Sequence, residues 1–114
     1  MESMYDNDLS YIEEIFKTTQ TEVEQSIPFM ENAFKSGDII SLKQIIHKIK
    51  PCFGFTGLLQ IQHLLQEFED ASSGYDSIEA LNLFYSEVRL SISEGLRIIR
   101  HEYMVLKAFN QSIL

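Results

Sequence analysis

The stretch from Ser41 to Gly57 reads SLKQIIHKIKPCFGFTG and contains His47, with Lys43 four residues before it and Lys50 three after. On a helix these spacings bring all three to one side. A neutral imidazole carries a nucleophilic nitrogen lone pair near neutral pH, because its ordinary pKa is about 6.5. Here it would act with two ammonium groups beside it.

A helical wheel decides which way that ring points. With His47 as zero and roughly 100° per residue, Leu42, Ile45, Ile46, Ile49, Cys52, Phe53 and Thr56 fall between about 140° and 260°, an apolar face opposite the ring. Ile40, Lys43, Lys50, Pro51 and Gly54 share the side of His47, within about 60° of it. An exposed helix histidine is ordinarily just a solvated side chain. Its neighbours set this one apart: glycine inside a helix costs about 0.5–1 kcal/mol relative to alanine and proline about 3. Local rules broken without a packing benefit suggest a functional surface, and Gly54 removes bulk where another protein could approach the ring. His63 and His101 also fall off their apolar stripes, but no comparable cluster surrounds them.

Other chemistries find little support. No histidine pair has the i, i+4 spacing of a helical metal site, and the single cysteine, Cys52, allows neither an internal disulfide nor a cysteine-based metal framework. No nucleophile elbow or glycine-rich phosphate loop is present. The formal charge of −8, from 17 acids against 9 bases, argues against nucleic acid and anionic membranes as partners. The start MESMYDNDLS lacks the basic and apolar parts of a signal peptide, and no apolar run approaches the roughly 20 residues that span a bilayer. A cytoplasmic, free-standing protein is expected.

The elements that must hold His47 are helices. The 114 residues suit a single domain, residues 1–114. Apolar residues recur at steps of three and four, only five glycines and two prolines interrupt them, and no Asn-Gly or Asp-Gly hairpin turn occurs. The expected fold is an all-α, antiparallel, up-down four-helix bundle. Its first helix runs from about Asp8 to Ser36 with Leu9, Ile12, Phe16, Val23, Ile27, Met30 and Phe34 on one seam. Ser10 and Glu13 have capping-box spacing at its start, and Pro28 kinks or divides it. Gly37 and Asp38 stop this helix and cap the next, which covers Ile39 to Phe55. A third helix with Leu58, Ile61, Leu64, Leu65 and Phe68 ends near Ala71-Ser72-Ser73-Gly74-Tyr75. Asp76 to Glu79 form a second capping-box candidate, opening a long final helix with Leu81, Phe84, Val88, Ile92, Leu96, Ile99, Tyr103 and Leu106 on its stripe.

The stretch from Ser36 to Asp70 resembles the histidine-containing phosphotransfer (HPt) domains of two-component phosphorelays. Their usual pattern is His-x-Leu-Lys-Gly-Ser, a glycine ten residues after the histidine, and a helix of spaced leucines ending in Leu-Glu or Leu-Gln. This chain has His47, Ile49, Lys50, Pro51 and Cys52, then Gly57, Ile61, Leu64, Leu65 and Phe68-Glu69, with Ser36-Gly37-Asp38 at the customary distance upstream. Pro51 replaces the commonest glycine and Cys52 a small serine or alanine. The N-terminal part is shorter than in members with an extra short helix.

The resemblance implies that His47 accepts a phosphoryl group from a receiver-domain aspartate and passes it to another. The protein would thus be a phosphoryl carrier and not a turnover enzyme. Lys50, and more weakly Lys43, would offset charge on the phosphoryl oxygens. Glu69 occupies the position whose side chain can hydrogen-bond the ring nitrogen that is not phosphorylated and set the tautomer. Ile40, Lys43, Gln44, Pro51, Gly54 and Leu58 would form the docking surface for two partners, the receiver domain of a hybrid histidine kinase and that of a response regulator. No cofactor is expected on this chain; Mg²⁺ would belong to the receiver. The chain would work as a monomer. The competing reading is a helical adaptor that binds a protein partner and never carries phosphate.

Overall fold

The chain, described by a computed structural model over residues 4–73 and 81–112, forms helices α1 (Met4–Lys35), α2 (Ile39–Phe55), α3 (Leu59–Ser72) and α4 (Asn82–Ser112), and no strand occurs among the described residues. α1 packs on α2 and α4, and α3 on α2 and α4, which closes the circuit of a four-helix bundle. No helix among the described residues is long and apolar enough to cross a membrane.

The two short turns follow from the residues placed in them. Gly37 and Gly57 adopt φ of 74° and 79°, the left-handed conformation that lets a helix end without a Cβ penalty. After each, the chain folds back on the last turn: Asp38 N–H donates to Ala33 O at 2.9 Å, and Leu58 N–H to Phe53 O at 2.7 Å. Asp38 then caps α2, its Oδ1 accepting from Ser41 N–H at 3.0 Å.

One expectation for α1 is corrected. The helix begins at Met4, so Ser10 lies inside it and does not cap it. Ser10 therefore belongs to the intrahelical ladder, where no orphan donor remains to be capped. Of the two outcomes expected at Pro28, a kink or a division, the division is excluded, because Pro28 stands within one continuous helix. Proline removes only the bond to the Glu24 carbonyl, and Val23 and Met30, fully buried on either side of it, hold the seam against the core. The capping box at Asp76 to Glu79 falls within residues 74–80, outside the described residues.

The core runs from Val23 to Ala33 on α1, Leu42 to Phe53 on α2, Leu65 to Phe68 on α3, Leu81 just before α4, and Tyr85 to Ile99 on α4. One end is aromatic: Phe34 stacks on Tyr85 at 4.1 Å between centroids, and Phe68 meets Phe84 edge-on at 5.2 Å. At 1.5 Å per residue α1 and α4 extend about 48 and 46 Å, against about 26 and 21 Å for α2 and α3, so the long pair projects beyond the short one and the molecule measures 58 × 21 × 18 Å. In the projection Asn110 Nδ2 donates to Leu9 O at 3.2 Å and to Glu13 Oε1 at 2.9 Å. Ile12, on the seam, is exposed there because neither short helix reaches it, and Tyr11, Met104, Val105 and Phe109 are exposed too.

Candidate functional site

α2 turns Leu42, Ile46, Ile49, Cys52 and Phe53 into the core and leaves His47 facing outward, its side chain 71% exposed. The ring is nevertheless held. Glu69 on α3 places Oε1 3.0 Å from His47 Nδ1. A carboxylate oxygen can only accept, so in the neutral ring Nδ1 carries the proton and Nε2 keeps its lone pair. Glu69 itself is only 6% exposed. It is not an acid at a helix edge but a buried anion, which needs partners to be tolerated.

Lys50 supplies the second partner. Its Nζ lies 3.1 Å from Glu69 Oε2, and 2.5 Å from Gln66 Oε1, with the side chain only 15% exposed. Each carboxylate oxygen of Glu69 thus has its own donor, the imidazole on one and the ammonium on the other. Gln66 Nε2 in turn donates to Asp70 Oδ1 at 3.0 Å. Lys43, one turn before His47, donates to Ser73 Oγ at the start of the α3–α4 connection.

The remaining surface positions divide into open and half-buried ones. Ile40, Gln44 and Pro51 are exposed, whereas Lys43, Gly54 and Leu58 are half-buried. Leu58 packs against the core. A Cβ on Gly54 would come within 2.6 Å of Gln62 Nε2, at the mobile end of that side chain. The glycine thus leaves room for the Gln62 amide beside it. Beside the ring, Lys48 pairs with Glu22 of α1 at 3.1 Å. Burial foremost, with the Glu22 charge, pushes the Cys52 thiol up to about 11, so no second nucleophile stands beside the first.

His63 and His101 are exposed, and His63 Nε2 meets Glu67 one turn along its own helix at 2.8 Å. Neither is held from another helix, as His47 is. Among the described residues no group of three or more His, Cys, Asp or Glu side chains could hold a metal ion. Sequence reasoning missed Gln66 and Asp70. Their polar types on α3 suit a solvated face, and only the crossing of α3 against α2 brings Gln66 to Lys50.

A family model, that of the Hpt domain, matches residues 14–94, more than two thirds of the chain. No curated protein and no solved structure matches it significantly. The match spans α2 and α3, α1 from residue 14 onward and the first part of α4 as far as residue 94, and stops short of both projecting ends.

Proposed function

The chain belongs to the Hpt domain family, whose members pass phosphoryl groups on histidine in two-component systems, and we propose that His47 is its phosphoryl carrier, loaded by one receiver-domain aspartate and unloaded to another. The observation that carries this reading is an exposed imidazole whose Nδ1 is tied to a buried carboxylate at 3.0 Å.

The chemistry follows from that tie. The Nε2 lone pair attacks the phosphorus of an incoming aspartyl phosphate; the Nε2–P bond forms, the P–O bond breaks, and its electron pair leaves on the aspartate carboxylate. Nδ1 keeps its proton throughout, so the ring becomes a phosphoimidazolium, and the Glu69 carboxylate stabilises its positive charge. Reversal onto a second aspartate returns the ring to its starting tautomer. Transfer of this kind is mostly positioning and charge neutralisation. Lys50 offsets charge on the phosphoryl oxygens and Lys43 does so more weakly; the divalent ion comes with the receiver. Such a carrier needs no turnover machinery of its own.

Ile40, Gln44 and Pro51, exposed around the ring, with the partly covered Lys43, Gly54 and Leu58, form the docking face. The partners are a hybrid histidine kinase's receiver domain and a response regulator's, met one at a time by a cytoplasmic monomer. Incubation with a phosphorylated receiver domain tests the proposal by intact mass. The expected adduct is lost in acid and persists in base, and His47→Gln abolishes it. An adduct that survives His47→Gln overturns the assignment.

A further inference from the structure

Behind the ring, between α2 and α3, lies a chain of polar contacts longer than the transfer itself requires. It runs from Asp70 to Gln66, Lys50, Glu69 and His47, with successive separations of 3.0, 2.5, 3.1 and 3.0 Å. Its order is set by donor and acceptor types. Asp70 can only accept, so the amide NH₂ of Gln66 must face it, and this turns the amide oxygen toward Lys50. Lys50 can only donate, and both its acceptors lie on α3.

Glu69 shows why the far end of this chain matters. The terminal torsion of a glutamate is broad and two-fold, so its rotamer alone does not fix where the oxygens point. That orientation comes from one donor on each oxygen, and one of the two, Lys50, is itself placed by Gln66.

We infer that Gln66, oriented by Asp70, is a positioning residue for phosphoryl transfer: by holding Lys50 on Glu69 it fixes the carboxylate that keeps the proton on His47 Nδ1 and the lone pair on Nε2. This rests on the carrier role of His47. Without the Gln66 oxygen the ammonium keeps a single protein acceptor and a long, flexible stem. The carboxylate then rotates more freely, and the ring samples its other tautomer, in which Nε2 carries the proton and cannot attack.

The test reads the ring directly. Nitrogen-15 NMR of the whole chain at alkaline pH distinguishes the protonated from the bare ring nitrogen of His47. The native chain is expected to show Nδ1 protonated and Nε2 bare. Gln66→Leu should move both signals toward a mixture and slow phosphoryl acceptance about three- to tenfold; Gln66→Glu, which keeps an acceptor oxygen, should restore both. Asp70→Asn, an isosteric change at an exposed position, lets the Gln66 amide flip and should shift the signals part of the way. It provides the readout if Gln66→Leu fails to fold. Signals unchanged in Gln66→Leu, or in Asp70→Asn where that variant is the readout, overturn the inference, as does slowed transfer without a change of tautomer. The NMR measurement needs no phosphate, so a native chain that refuses phosphoryl groups would sink the carrier role without touching the tautomer result.

Discussion

Glu69 reaches across from α3 to place Oε1 3.0 Å from Nδ1 of His47, while its other oxygen takes the Lys50 ammonium at 3.1 Å. Removing either donor leaves the other to orient a buried anion alone. Glu69→Gln keeps an acceptor for Nδ1–H but loses the negative charge, so phosphoryl acceptance should fall while the folded bundle persists. Glu69→Leu removes both, and transfer should fall further. Rates for the two variants against one phosphorylated receiver check the order; a Glu69→Leu chain as fast as Glu69→Gln contradicts it.

His63 and His101 are the internal controls for modification. Both are exposed, yet neither ring is tied to a neighbouring helix. His63→Gln and His101→Gln should each take up one phosphoryl group at the native rate, measured by intact mass over time.

Gly95 is buried where α4 crosses the α2–α3 pair. A Cβ there would lie 2.7 Å from Phe53 Cε1 and 2.8 Å from Ile61 Cδ1. Overpacking of this kind costs about 1–3 kcal/mol, against the roughly 1 kcal/mol that alanine gains over glycine in a helix. Gly95→Ala should therefore be destabilised by up to about 2 kcal/mol, read from the midpoint of urea unfolding. A midpoint above the native one would show that Phe53 and Ile61 move aside without cost.

Cys52 sets an alkaline limit. Its thiol is pushed from 9.0 to about 11, so between those values the unfolded chain has lost a proton that the folded chain retains. The sign follows: this contribution to stability is complete below pH 9.0 and is lost as pH rises toward about 11. Near pH 8 the native thiol should react with an alkylating reagent about 100-fold more slowly than the unfolded chain. Near-equal rates would refute the burial.

Asp38 sets the acid counterpart. The Ser41 backbone N–H, and then its hydroxyl, hold the carboxyl below its ordinary 3.8. Its capping contribution is present above that value and declines as pH falls through the lowered one. Asp38→Asn, which still caps but does not titrate, should flatten the acid limb of the stability curve.

Much of this was legible in the sequence because it depends on local periodicity. The 3.6-residue repeat in α2 is enough to turn His47 outward, and Gly37-Asp38 and Gly57 mark where the chain must reverse. Properties of pairs of helices were less legible. That Gly95 lies under Phe53, or that Gln66 meets Lys50, depends on the crossing of two helices, and neither residue type announces it. The exposure of Ile12 came from unequal helix lengths; its spacing alone placed it on the seam.

Pro51 carries one more consequence for the ring four residues before it. A helical carbonyl is ordinarily covered by the amide hydrogen four positions on, and Pro51, inside α2, has none to offer His47. The backbone oxygen of His47 thus lacks its ordinary helical partner. A docking surface that covers this oxygen must bring a hydrogen of its own or leave a bare acceptor, at a cost of about 1–3 kcal/mol. That is a toll of about five- to 150-fold in affinity on mismatched receivers, levied by the backbone rather than by any side chain. Pro51→Ala should lift it and narrow the difference between cognate and foreign receivers.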